Sequence, residues 1–225
     1  MRGNKFIAAA AFFLLTLAGL LTVVDVLCFD RGFYTKEYAK NGTAEYMQMS
    51  DEDLEHTTDV LLAYLKDERD DLIVTAVVDG KEREVFDMRE TLHMDDVKKL
   101  YQNAMTFRTV AAALGAALLC AVLYGAEQKR ALMKFGFQAG VILILALISA
   151  LTIWAAIDFN AFWIQFHEVF FDNDLYLLDP RTELLIRMVP EQFFYDLVMR
   201  IVIGFFGLLA VTAGLLWFLP ERKTA

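Results

Sequence analysis

Three histidines, His56, His93 and His167, are the side chains of this 225-residue chain whose ordinary pKa lies near neutrality. His56 sits in an acidic, polar run (Asp53-Leu-Glu-His-Thr-Thr58) and reads as a solvated bystander. The other two lie in less polar company: His93 three residues before Asp96, and His167 inside an aromatic segment. Two imidazoles at one site supply a general base and a donor for a developing oxyanion. The chain has no G-x-S-x-G elbow to offer a serine nucleophile, and no C-x-x-C or H-E-x-x-H metal signature. Two histidines and a carboxylate also leave a zinc set open, though their spacing is unspecific. With no protein nucleophile in evidence, these residues suit a reaction in which the substrate brings both the nucleophile and the ester.

The segment around His167 runs from Trp154 to Arg200 and joins two apolar runs. Eight aromatics fall between Trp154 and Tyr176: Trp154, Phe159, Phe162, Trp163, Phe166, Phe170, Phe171 and Tyr176. Such residues collect at the boundary of lipid and water, so an aromatic belt with one wet histidine is the plain reading. The sharper one is a site for the polar end of a lipid.

The elements that must carry these residues follow from hydropathy. Uncharged runs at Phe6–Val24, Thr109–Ala126, Phe135–Ile157 and Ile201–Pro220 each approach the roughly 20 residues that cross a bilayer as a helix. The first is too long for a signal-peptide core and lacks a small-residue cleavage site before Cys28. The expected divisions are 1–29 (first span), 30–105 (extracytoplasmic cap), 106–126 (second span) and 127–134 (cytoplasmic linker). They continue with 135–157 (third span), 158–193 (second cap segment), 194–219 (fourth span) and 220–225 (cytoplasmic tail).

Charge sets the orientation. Arg2, Lys5, Lys129, Arg130, Lys134, Arg222 and Lys223 face only Glu127 and Glu221, a net of +5 on one side. Residues 30–105 carry −9 and residues 158–193 carry −5. By the positive-inside rule both termini are cytoplasmic and both acidic segments face outward. The acidity of those segments argues against a nucleic-acid partner. Cys28 and Cys120 flank or occupy apolar runs and read as small apolar fillers, and Asp25 sits where it reaches headgroups.

Residues 30–105 need structure of their own. Ser50-Asp-Glu-Asp53 opens a helix through Leu65 by its cap and acidic first turn. Leu72–Val78 and Lys81–Phe86 flank Asp79-Gly80 and predict a hairpin. From Thr91 the apolar spacing turns helical, which puts His93 on a first turn and Asp96 one turn on, placed to hold the imidazole in one tautomer. That helix either lies on the membrane surface or runs straight into the second span. Asp179-Pro180-Arg181-Thr182 reads as a turn, and a last helix starts just after Pro190. The fold class is mostly α: a polytopic membrane protein with four transmembrane helices and a small α+β extracytoplasmic cap.

Two stretches resemble the bacterial lipoprotein intramolecular transacylase family. One is Phe86-x-x-Arg89-Glu90-x-x-His93-Met94-x-Asp96-Val97; the other is Phe166-His167-x-x-Phe170-Phe171-x-Asn173-Asp174. The second continues through Leu178-Asp179-Pro180 to Pro190-x-x-Phe193-Phe194-x-Asp196. Tyr176 stands where the resemblance would place Trp. The resemblance implies transfer of the sn-2 acyl chain of a diacylglyceryl lipoprotein to the α-amine of its N-terminal cysteine. It implies an N-acyl lyso product, a site at the outer junction of membrane and cap, membrane lipid as the setting, and no cofactor or metal. It maps catalysis to His93 and His167, one as base and the other, protonated, as oxyanion donor. Substrate binding or support falls to Arg89, Glu90, Asp96, Phe166, Phe170, Phe171, Asn173, Asp174, Tyr176 and Asp179. An acyl hydrolase or lipid acyltransferase at the same site, and a non-enzymatic lipid- or partner-binding membrane protein, are the alternatives. Oligomeric state is open.

Overall fold

The structure, a computed structural model, describes residues 2–124 and 126–218. The tail at 220–225, including Arg222 and Lys223, lies outside the described residues. Nine α-helices and one two-stranded sheet occur among those described: α1 (Arg2–Cys28), α2 (Arg31–Asn41), α3 (Thr43–Met47), α4 (Asp51–Leu65), β1 (Thr75–Val78), β2 (Lys81–Glu84), α5 (Met88–Tyr124), α6 (Lys129–Ile157), α7 (Phe159–Phe170), α8 (Leu185–Met188) and α9 (Glu191–Phe218). Of these, α1, α5, α6 and α9 are long and apolar enough to cross a membrane. The chain is therefore a multi-pass membrane protein, mostly helical, with one small antiparallel hairpin.

One compact unit takes the apolar parts of those four helices. Its centre is Val141 and Ile144 of α6 with Phe205 and Leu209 of α9, backed by Phe13, Leu17 and Leu20 of α1. Apolar residues of the same helices also point outward: Ile142 and Leu143 are 68% and 66% exposed, and Ile203 is 72% exposed. In a lipid-crossing helix this is the expected outer face, since tails are as apolar as the side chains. With no hydrophobic gain from helix association in lipid, close backbone approach must hold α1 to α6. Gly136 and Gly140 on one face of α6 provide it. A Cβ on Gly140 would lie 2.5 Å from the Ala9 carbonyl oxygen, and one on Gly136 would lie 2.9 Å from the Ala8 oxygen. This small-xxx-small face was not read from the sequence, although Gly136-Phe-Gln-Ala-Gly140 has the spacing.

Asp25 is not left to headgroups: its carboxylate accepts a 2.6 Å bond from Arg108 Nη1. The linker expected at 127–134 is shorter than its charges suggested, because α6 already begins at Lys129. Arg130 explains the early start. It donates to the carbonyls of Leu216 and Trp217, satisfying acceptors in the last turn of α9.

The second unit comprises Leu27–Asn103 and Ile157–Val198. Here local sequence dictates most of the elements. Asp30 caps α2 and Ser50 caps α4, each side chain accepting a backbone N–H. Asp79 and Gly80 have φ of 53° and 71°, the two left-handed positions of a tight hairpin turn. The strands are shorter than expected, Thr75–Val78 and Lys81–Glu84. Val74 and Ala76 face inward while Ile73 and Val77 are exposed, so the apolar run at 72–78 is a one-sided strand end and not a buried core strand.

Missing from the sequence reading are α2 and α3. The first brings Phe33, Tyr34 and Tyr38 around Phe193 of α9, with ring centroids 5.1, 5.0 and 6.3 Å away. Phe193 is 1% exposed and Met188, nearby in sequence, is fully buried. Lys40 ties α2 to the start of α9 by pairing with both Glu37 and Asp196.

Candidate active site

The helix carrying His93 starts earlier than the apolar periodicity indicated, and its start is held by side chains. Asp87 Oδ1 accepts from Glu90 N at 2.9 Å while Glu90 Oε2 accepts from Asp87 N at 2.7 Å. This reciprocal capping box begins α5 at Met88 and moves His93 from a first to a second turn. The other oxygen of Glu90 accepts from Leu185 N, which opens α8. Glu90 is 1% exposed, and burial pushes its carboxyl above the usual range. Its role is therefore to lock α5 to the second cap segment. From that start α5 runs unbroken to Tyr124, so the continuous one of the two expected forms is the observed one. Its uncharged, membrane-crossing part follows Arg108; His93 lies well before it in the charged section.

His167 sits in the last turn of α7, whose N-cap is Asp158. Its Nδ1 lies 2.7 Å from the carbonyl oxygen of Trp163. A carbonyl only accepts, so Nδ1 must carry the proton and Nε2 of a neutral ring must carry the lone pair. Around the ring, Tyr176 stacks at 4.7 Å, Trp163 meets it edge-on at 4.9 Å and Phe166 edge-on at 5.6 Å. Trp163 is itself stacked between Phe166 and Phe194, at 5.2 and 4.5 Å.

The two histidines come together. Their ring centroids are 5.8 Å apart, tilted by 35°, and Phe171 touches both at 5.5 and 5.7 Å. They are 7% and 8% exposed. Burial, then the neighbouring His167 ring, lowers His93 to about 4, against a smaller upward pull from Asp96. Burial also lowers His167, partly opposed by its bond to Trp163. Both rings are thus neutral at pH 7. A neutral imidazole can still donate its one N–H.

Asp96 does not orient His93. Its Oδ2 accepts from Asn173 Nδ2 at 2.9 Å, and Oδ1 lies 3.7 Å from Lys99, while His93 Nδ1 has no hydrogen-bonding partner. Residues three apart on a helix are neighbours, but here the loop after α7 wins the carboxylate. Asn173 Oδ1 in turn accepts from Leu175 N and shapes that loop. Arg89 Nη2 donates to the Asp174 carbonyl and lies 3.4 Å from its carboxylate. Phe170, half exposed, packs on Phe166 at 4.8 Å. A cavity of about 230 Å³ opens beside these residues, lined by Asp96, Leu100, Asn103, Phe170, Phe171 and Asn173 among others.

Asp179 stands apart from this group. Its carboxylate holds Arg181 and its N–H donates to Glu183, so it fixes the turn at Pro180. His56 is exposed on α4. Among the described residues no three His, Cys, Asp or Glu side chains converge to hold a metal. Sequence reasoning missed two functional contributions: the Trp163 carbonyl and the Leu185 N–H. Both are backbone groups, and only the four-residue spacing of Trp163 and His167 on a helix hinted at the first.

A comparison with curated sequences finds no match. Solved structures do match. A structure of the membrane-integral lipoprotein intramolecular transacylase Lit from Bacillus cereus is 20% identical, with a TM-score of 0.74 over 96% of each chain. Two variants of that protein, with a histidine replaced by arginine or by alanine, match with TM-scores of 0.71 and 0.72 at 19% and 20% identity. The arginine variant is covered over 91% of its length by 96% of this chain, and the alanine variant over 94% by 97%. At these identities the likeness establishes the fold. The sequence itself matches the family described as lipoprotein intramolecular transacylase Lit over residues 9–194, most of its length. The chain belongs to the lipoprotein intramolecular transacylase family and is a membrane enzyme of that type.

Proposed function

We propose that the protein moves the sn-2 acyl chain of a diacylglyceryl lipoprotein to the α-amine of its N-terminal cysteine, with His167 as base and His93 as donor to the oxyanion. The observation that carries the assignment is the bond from His167 Nδ1 to the Trp163 carbonyl. It leaves Nε2 as the lone-pair nitrogen of a ring whose centroid lies 5.8 Å from that of His93. An α-amine has a pKa near 8, so a neutral base helps to expose its lone pair at neutral pH. Attack on the ester carbonyl builds negative charge on oxygen, which the N–H of the buried His93 meets. Both nucleophile and ester belong to one substrate molecule, so confinement of its two ends supplies much of the rate. The aromatics packed about His167 suit that confinement.

The same reading places the acidic cap unit outside the cytoplasmic membrane and both termini in the cytoplasm. Charge supports it: Lys129, Arg130 and Lys134 lie in the first two turns of α6, and the cap segments are acidic. The divisions given above by hydropathy go with it, with α6 starting at Lys129.

The test is tandem mass spectrometry of a synthetic diacylated lipopeptide incubated with purified protein in detergent. Transfer within one molecule leaves the mass unchanged and moves one acyl group onto the cysteine nitrogen. Loss of one acyl mass would mean a hydrolase, and an unaltered substrate would remove the assignment.

A further inference from the structure

Among the described residues, two buried side-chain nitrogens of α5 meet no hydrogen-bonding group: Nδ1 of His93 and Nε of Arg89. They belong to residues four apart, neighbours on one helix face. A polar atom buried without a partner is costly and uncommon, so two on one face ask for a shared one. The far end of the Arg89 side chain is already engaged, because Nη2 donates to the Asp174 carbonyl and lies 3.4 Å from its carboxylate. This tether orients the planar guanidinium from outside while Nε–H stays buried.

Resting on the functional reading above, we propose that Arg89 Nε–H is a second oxyanion donor, paired with His93 on α5 across from the base on α7. In the step, the cysteine amine nitrogen bonds to the sn-2 carbonyl carbon and the carbonyl electron pair moves onto oxygen. The amine proton passes to His167 Nε2, and the oxyanion accepts from Arg89 Nε–H and from His93. Collapse breaks the bond from carbon to the glycerol oxygen, which takes the proton back from His167. Nothing is left over: one ester becomes one amide and one alcohol. A donor carrying positive charge strengthens such a bond, and the fixed plane of guanidinium means no reorganisation as charge develops.

The competing role for Arg89 is purely positional, as a strap on Asp174. Two substitutions separate the roles in opposite directions. Arg89→Lys keeps a cation long enough to reach Asp174 but puts a methylene where Nε stood. Arg89→Gln puts an amide N–H at the position of Nε and gives up the strap. With the lipopeptide assay, kcat of Arg89→Lys is expected to fall about 10²-fold with KM little changed, the loss of one oxyanion donor. Arg89→Gln should retain the larger kcat of the two, with its cost appearing in thermal stability or KM. A kcat for Arg89→Lys equal to or above that of Arg89→Gln, in wild-type-active preparations, overturns the inference and leaves the functional reading standing. Wild-type protein that leaves the acyl chain in place removes both. Should Arg89→Lys fail to fold, kcat of Arg89→Gln against Arg89→Met decides: equal values overturn the proposal, and a larger value for Gln supports it.

Discussion

The two sides of the site hold their histidines by opposite means. On α7, His167 is pinned by a backbone carbonyl and walled by Tyr176, Trp163 and Phe166. On α5, His93 has aromatic contact from Phe171 but no partner for Nδ1, and its flanking side chains Arg89 and Asp96 are each engaged by the loop after α7. A ring with a fixed tautomer is ready to take a proton at a known atom. A ring with an unengaged N–H position is ready to serve whatever the substrate presents. Two residues of one type are thus prepared differently by their second neighbours.

The largest effects should come from exchanging the rings. His167→Ala and His93→Ala are each expected to lose about 10²–10⁴-fold in rate, the typical worth of a base or an oxyanion donor. The double variant should be little worse than either, because groups serving one intermediate are not additive. Glutamine sharpens the contrast. Its amide donates but takes no proton, so His93→Gln should recover part of the rate lost in His93→Ala. His167→Gln should recover none. Recovery at 167 instead would reverse the assignment. Melting curves in detergent must show that all five variants fold.

Next in size is Glu90, which joins α5 to α8 without touching the chemistry. Glu90→Ala strands the N–H of Leu185, at about 1–3 kcal/mol for a donor left buried and unpaired, and removes the reciprocal cap with Asp87. The expected result is a clearly lowered melting temperature in detergent, with kcat of the folded fraction reduced much less than in the histidine variants. Glu90→Gln keeps one acceptor oxygen and should fall between. A normal melting temperature with abolished activity would move Glu90 from support into catalysis.

How much of this was legible beforehand varied with the range of the interaction. The four spans and the caps at Ser50 and Asp79-Gly80 follow from runs and local chemistry, which a single chain displays. The pairing of His93 with His167 came from a family resemblance, since 73 intervening residues carry no spacing rule that joins them. Asp96 was misread because its i,i+3 neighbour was visible and its competitor Asn173 was not. Helices α2 and α3 were missed because their apolar residues are few, and Phe33, Tyr34 and Tyr38 gain their burial from distant partners such as Phe193 and Thr58. The Trp163 carbonyl had no side-chain signature at all.

Proton linkage gives a smaller effect and probes both sides together. Both histidines titrate below the ordinary value near 6.5 in the fold, His93 at about 4. The unfolded chain therefore binds more protons between those limits. Stability from keeping these rings neutral is complete above about pH 6.5 and declines as pH falls through the folded values. The acid limb of kcat should lie below pH 6.5, since the base on α7 stays unprotonated further down than free imidazole. Replacing His93 should steepen nothing above pH 7 and should remove part of the acid loss in melting temperature. A limb above pH 7 in addition to that of the substrate amine near 8 would show that the base is charged in the fold, contrary to its burial.

The smallest effect concerns Tyr176, which stands where the family resemblance suggests Trp and whose ring lies at 25° to His167. If the aromatic plane is what matters, Tyr176→Phe and Tyr176→Trp should both stay near wild-type kcat, because each keeps a flat face against the imidazole. Tyr176→Ala loses the stack. An aromatic pair is worth about 0.5–1.5 kcal/mol beyond the area it buries, so the rate should fall by roughly 2- to 12-fold if the stack aligns His167 for reaction. That loss is well under the loss of either histidine, since the Trp163 carbonyl still fixes the tautomer. His56→Ala, exposed on α4, provides the baseline at which nothing changes. A Tyr176→Phe loss as large as that of Tyr176→Ala would place the hydroxyl, and not the ring plane, in the reaction. The α7 side would then contribute a polar group that packing geometry alone does not reveal.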